Sequence, residues 1–144
     1  MNNLKDKLQM KNGKILVMDD SADIRFIFTK MLNRLGYEVE IARDGSEAIL
    51  QFKNAIEVEN PFDAVIMDLK IADGMGGEEA IKLLLELDPE AKIILCSGSV
   101  TDVVMIGYRE YGISAVIRKP FKMVDLVNAL QIVNSDSSKQ VNAQ

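Results

Sequence analysis

The sequence contains no histidine. That absence removes His-ligated metals, Ser-His-Asp triads and imidazole acid–base chemistry in one step, and leaves any metal to be held by oxygen ligands. A single cysteine, Cys96, excludes an internal disulfide and fits a reducing compartment. No apolar run approaches the ~20 residues that a membrane span needs. The opening stretch, MNNLKDKLQMKNGK, lacks the apolar middle of a secretory signal. A cytoplasmic protein with no membrane partner is therefore expected. The net charge is −5 with no long basic run, which argues against a nucleic-acid partner.

What remains is an ordinary globular profile. Hydrophobic residues make up 48% of 144 and charged residues 27%, enough for one domain with a real core. Five apolar runs alternate with helical patterns: Ile15 to Met18, Val39 to Ala42, Ala64 to Met67, Ile93 to Cys96 and Ala115 to Ile117. Four are continuously apolar, as in strands covered on both faces of a parallel sheet. The second, within YEVEIA, alternates apolar with acidic residues and reads as an edge strand with one exposed face. Between the runs, residues 22–35 carry Ile24, Ile27, Phe28, Met31, Leu32 and Leu35 on one helical stripe, with Gly36 as the stop. Residues 45–58, 77–87, about 100–111 and about 122–133 show similar stripes. Asp88-Pro89 ends the third helix, because proline disfavours helix in the residue before it.

A βα unit taken five times predicts an α/β, doubly wound, five-stranded parallel sheet with right-handed crossovers. The domain is expected over residues 14–134, after an extension of residues 1–13 (a short helix or a linker). The polar, serine-rich residues 135–144 read as a disordered tail.

Polar residues fall where the strands end. Strand one ends in Asp19-Asp20, strand three in Asp68, strand four in Ser97 and strand five in Arg118-Lys119-Pro120. A carboxylate at the tip of a buried strand costs stability unless something pairs with it. Open α/β sheets bind ligands beyond the carboxyl ends of their strands, where the strand order reverses. With strand one central and flanked by strands two and three, three carboxylates meet there, with a hydroxyl and an ammonium nearby. Such a cluster takes up a proton or a cation. Mg²⁺ suits an all-oxygen site that keeps several waters and completes its shell with phosphate oxygens. Ca²⁺ fits less well, since no EF-hand spacing appears. Lys119 and Ser97 supply a charge and a hydroxyl for a phosphoryl group, and a carboxylate is the available nucleophile.

These residues resemble the receiver domain of two-component response regulators over roughly residues 14 to 133. ILVMDDS, VIMDLKIADGMGG, ILCSGS and IRKPF carry the resemblance, in that order and at matching spacing. It implies a flavodoxin-like strand order 2-1-3-4-5 and a phosphoacceptor at Asp68. It further implies Asp20 as a direct Mg²⁺ ligand, Asp19 acting through water and the backbone carbonyl of Lys70 completing the protein's share of the shell. Ser97 would hold the phosphoryl oxygens and Lys119 would pair with them, beside a cis bond to Pro120. The donor would be the phosphohistidine of a histidine kinase or a histidine phosphotransfer protein. The domain would then switch conformation to signal, catalysing only phosphoryl transfer to its own aspartate. The loop DLKIADGMGG is also similar to receivers of hybrid sensor histidine kinases, so a module of such a kinase stays open beside a complete regulator. So does a phosphorylation-independent docking module.

Each residue also has a plainer reading. Asp19-Asp20 suits a helix N-terminus led by Ser21, CSGS suits a turn, and Lys119 suits a solvated lysine beside a turn proline. Gly74, Gly76 and Gly77 lack the lysine and hydroxyl of a P-loop and read as turn residues opening a helix. Cys96 reads as a packed strand residue, and Tyr108 and Tyr111 as packing residues. Two rivals fit poorly. A phosphohydrolase would want an acid two residues beyond the nucleophile, where Lys70 stands. A flavin-binding module would want a hydroxyl-rich phosphate loop where DDSAD stands. One departure from the family is Val116, three residues before the lysine, where many receivers place a mobile aromatic ring.

Overall fold

A computed structural model describes residues 13–98 and 103–142. Five parallel strands form one sheet: β1 (Gly13–Met18), β2 (Tyr37–Ala42), β3 (Ala64–Asp68), β4 (Ile93–Ser97) and β5 (Ala115–Arg118). Their spatial order is β2-β1-β3-β4-β5, so the sequence reverses direction between β1 and β3. Ile15 pairs with Ala64 and Met18 with Met67, which aligns the carboxyl ends of the two strands. Asp68 in turn lies opposite Cys96, one residue short of the end of β4.

The helices are α1 (Ala22–Arg34), α2 (Gly45–Glu57), α3 (Gly77–Leu87), the short α4 (Val103–Ile106) and α5 (Met123–Asn142). Side chains alternate across the sheet, so each strand feeds two cores. One holds Leu16, Met18, Val65, Met67, Ile93 and Leu95 against α2, α3 and α4. The other holds Ile15, Val17, Ile66, Ile94, Cys96 and Ile117 against Phe28 and Leu32 of α1 and Leu126 and Leu130 of α5. Covering both faces explains why four strands read as unbroken apolar runs.

The structure differs from the sequence reading in four places. β1 starts at Gly13, ahead of the apolar run, because Lys14 is buried with its charge satisfied. Its Nζ donates to the Asn60 carbonyl at 3.0 Å, lies 3.3 Å from Glu40 Oε2 and sits 4.5 Å above the Phe62 ring. β2 is an edge strand, as expected, but its pattern is inverted in part: Glu40 is half-buried beside Lys14, and Ile41 is exposed. The helix expected at about 100–111 is broken, since α4 stops before Gly107 and a 3₁₀ turn follows over Tyr108–Tyr111. Gly112, at φ 82°, closes that turn. Residues 99–102, at the start of that stretch and just before it, lie outside the described residues, as do 1–12, within the expected extension, and 143–144. Finally, α5 continues through residues 135–142, where a disordered tail was expected. The sequence has no glycine or proline after Pro120 to stop it.

Candidate functional site

The carboxyl ends of β1, β3, β4 and β5 deliver the polar residues to one place. Asp19 and Asp20 follow β1 directly, Asp68 is the last residue of β3, Ser97 is the last of β4 and Lys119 follows β5. Asp19, Asp68 and Ser97 are buried, at 1%, 6% and 4% exposure, while Asp20 is exposed. One carboxylate oxygen from each of Asp19, Asp20 and Asp68 lies within 4.8 Å of the others.

Local structure fixes each member. Ser21 caps α1 by accepting from the Ile24 amide at 3.3 Å, and its own amide donates to Asp19 Oδ1 at 2.9 Å. The capping expected of this stretch is therefore present, carried by Ser21, and it leaves Asp20 turned to other partners. The Arg25 guanidinium donates to the Asp19 carbonyl at 2.8 Å. Asp20 Oδ2 accepts from the Ala72 amide at 3.0 Å. Lys119 Nζ donates to Asp19 Oδ2 at 2.9 Å and stands 3.5 Å from Asp68 Oδ1. The Lys119-Pro120 peptide is cis. Ser97 sits beside this group, with the Lys119 amide donating to its carbonyl at 2.9 Å. Lys70 is exposed, two residues past Asp68.

The electrostatics follow from three acids and one base. Burial pushes the Asp68 carboxyl up to about 6, the Asp19 charge adds to the rise and the Lys119 ammonium opposes it. Burial alone would lower the Lys119 ammonium, but its bond to Asp19 and the charges of Asp68 and Asp19 outweigh that and raise it. Cys96 lies just behind the site, and burial pushes its thiol up to about 12. It is therefore inert packing rather than a nucleophile. Buried and beside the Asp19 charge, the ionised Asp68 carboxylate is stabilised by added positive charge. The donors are all oxygen and two negative charges remain uncompensated, which fits a hard divalent cation such as Mg²⁺.

Glycine has a sharper role at this site than a flexible turn. A Cβ on Gly77, the first residue of α3, would collide with the Asp68 carbonyl oxygen. Gly77 instead donates its amide to the Leu69 carbonyl at 3.1 Å. The backbone amide of Ala72 and the guanidinium of Arg25 were not foreseen. The first carries no side-chain signal, and the second acts on a carbonyl rather than on a charge. Val116 is half-buried and packs with Tyr108 and Tyr111 against the core that holds α3 and α4.

Residues 15–131 match the family model for the response regulator receiver domain. The chain belongs to that family. Phosphorylation on an aspartate is the family's general function, and its members bind Mg²⁺ at an acidic pocket and receive the phosphoryl group from histidine kinases or phosphotransfer proteins. Among relatives of this receiver, the chemotaxis protein CheY of Thermotoga maritima is 34% identical over 122 residues, covering 84% of the chain and 97% of the relative. A CheY-like receiver domain protein from Methanospirillum hungatei superposes with a TM-score of 0.76 at 28% identity, over 88% of this chain and 97% of that one. The response regulator TrrA of Thermotoga maritima, solved in complex with Mg²⁺-BeF, gives 0.70 at 27% identity over 86% and 99%. Among the described residues of the receiver, no helix is long and apolar enough to cross a membrane.

Proposed function

We propose that Asp68 is the phosphoacceptor of this receiver and that Asp20 and Asp68 hold Mg²⁺, with Asp19 acting through water and the carbonyl of Lys70 as a further ligand. The observation that carries the reading is the position of Asp68, a buried carboxylate at the switch point of the sheet, 3.5 Å from the Lys119 ammonium and inside a cluster of acids. The related TrrA was solved in complex with Mg²⁺-BeF, which supports the same chemistry here.

In the step proposed, an Asp68 oxygen attacks the phosphorus of a phosphohistidine held by a kinase or phosphotransfer protein. The O–P bond forms, the N–P bond breaks, and the imidazole leaves. The ion, when bound, neutralises charge on the acceptor and on the phosphoryl oxygens. Lys119 is already beside Asp68 and needs little movement to meet a phosphoryl oxygen, while the Ser97 hydroxyl stands on the neighbouring strand to donate to another. Before transfer Lys119 is bonded to Asp19, so the phosphoryl group and Asp19 compete for one ammonium. New contacts made by Ser97 and Lys119 then bias two conformations of the domain, and a shift from 1:99 to 99:1 takes about 5.5 kcal/mol of differential stabilisation. Val116 has no ring to swing, so an aromatic response would fall to Tyr111, which packs on the same core as Val116 and Tyr108.

Intact-mass analysis after incubation with acetyl phosphate tests the reading. A single adduct that requires Mg²⁺ and is absent from Asp68→Ala is expected. A wild-type protein that binds Mg²⁺ yet gains no adduct would instead favour a docking module.

A further inference from the structure

α2 buries one face through Gly45, Ala48, Phe52 and Ala55. Leu50 stands opposite that stripe, in the middle of the outward face, and is 68% exposed. A single exposed leucine is ordinary by itself. What distinguishes this one is the order of charges around it. Arg43, Ser46, Glu47, Lys53, Asn54 and Glu57 lie three, four and seven residues to either side of Leu50, and so share its face. Arg43 precedes the helix but is held to its first turn by Glu47, 2.6 Å away. Lys53 and Glu57 are exposed and have no ion-pair partner among the described residues. With Leu50, Gln51 and Asn54 they border a groove of about 440 Å³.

We infer that the outward face of α2 is a contact between two copies of this chain, packed antiparallel about a two-fold axis at Leu50. In such a pair, a residue a given number of places after Leu50 meets the one the same number before it in the other copy. Leu50 then meets Leu50, Ser46 meets Asn54, Glu47 meets Lys53 and Arg43 meets Glu57. Every charge on the face finds its opposite. A parallel pair in register would set each charge against its like, so the order of charges selects the antiparallel one. Arg43 and Glu47 of one copy alternate in sign with Lys53 and Glu57 of the other. Networks of this kind hold better than isolated exposed pairs. The groove beside Lys53 and Asn54 receives Ser46 and Glu47 of the other copy. One helix of 13 residues makes a small interface, so the pairing is weak, with a Kd of about 0.1 mM. None of these residues belongs to the acidic cluster, and the inference stands apart from the phosphoacceptor reading.

Sedimentation equilibrium of the full chain, carried to about 1 mM, should show monomer and dimer, with less dimer as salt is added. Leu50→Glu brings two carboxylates together on the axis, and Lys53→Glu sets one against Glu47. Each should weaken association by about 10-fold or more. Both positions are exposed, so circular dichroism should stay that of wild type. Paired cysteines read the geometry, because the native Cys96 is buried. Under mild oxidation Ser46→Cys should crosslink to Asn54→Cys when the two are mixed, and neither should crosslink to itself. A wild-type protein that is wholly monomeric at about 1 mM overturns the inference. A dimer left intact by both Leu50→Glu and Lys53→Glu overturns it too, and places the contact elsewhere. Crosslinking of Ser46→Cys to itself rejects the antiparallel register. Should a charged variant fail to fold, the crosslink decides alone.

Discussion

The Lys119 ammonium stands 2.9 Å from Asp19 and leans toward Asp68, 3.5 Å from its nearer oxygen. One cation thus divides itself between two buried acids, and neither is fully neutralised. Most of what the site is expected to do follows from that imbalance.

Stability should depend on pH through Asp68. Its carboxyl rises from an ordinary 3.8 to about 6 in the folded protein, so the folded state holds this proton more tightly than the unfolded chain. This group's contribution is therefore greatest below about pH 4, falls as pH climbs toward 6, and stays level above. The loss amounts to about 1–3 kcal/mol. Asp68→Asn should remove that slope and raise the urea midpoint at pH 7 in chelator. Midpoints measured from pH 4 to 8 on both proteins check this, and parallel profiles would refute it.

Mg²⁺ should stabilise the fold. An ion that binds only the native state at a hundred times its Kd adds about 2.7 kcal/mol. Thermal unfolding with Mg²⁺ should occur several degrees above that in chelator for wild type. Asp20→Ala should lose most of the difference while melting normally without the ion, because Asp20 is exposed.

Lys119→Met keeps the apolar stem and deletes the charge. Breaking a fully buried pair costs about 3–5 kcal/mol. The Lys119 side chain is 24% exposed, so a loss of about 1–3 kcal/mol in chelator is expected, read by urea denaturation. Phosphorylation by acetyl phosphate should slow by about 100-fold in an intact-mass time course.

Gly77→Ala should destabilise, although alanine is the better helix former by about 1 kcal/mol. The added Cβ runs into the Asp68 carbonyl, and overpacking of this kind costs about 1–3 kcal/mol. A raised urea midpoint would show that the start of α3 yields easily.

Much of this architecture was legible because the strands are covered on both faces. Ile15 to Met18 and Ile93 to Cys96 read as unbroken apolar runs, and their alternation with helices implied a parallel α/β sheet, while the order β2-β1-β3-β4-β5 came from the resemblance to receivers. Asp19, Asp20, Asp68, Ser97 and Lys119 stood out because polar residues at the tips of such runs are conspicuous. What stayed hidden acts without that contrast. Lys14 looks like the end of a strand until Asn60, Glu40 and Phe62 are brought to it from elsewhere in the chain. Gly107 interrupts a stripe whose spacing is otherwise helical. The Ala72 amide is invisible in principle, since every residue but proline carries one.

Lys14 gives the sheet a polarity that its topology alone does not. At the end remote from the acids, a buried cation grips a carbonyl, a carboxylate and an aromatic face, and the Asp63 side chain accepts from its amide. That end is electrically settled. At the other, three acids share one ammonium. A change of charge there meets strands clamped at their far ends, so its mechanical consequence runs sideways, into the loops and short helices that border the acids, rather than down the sheet.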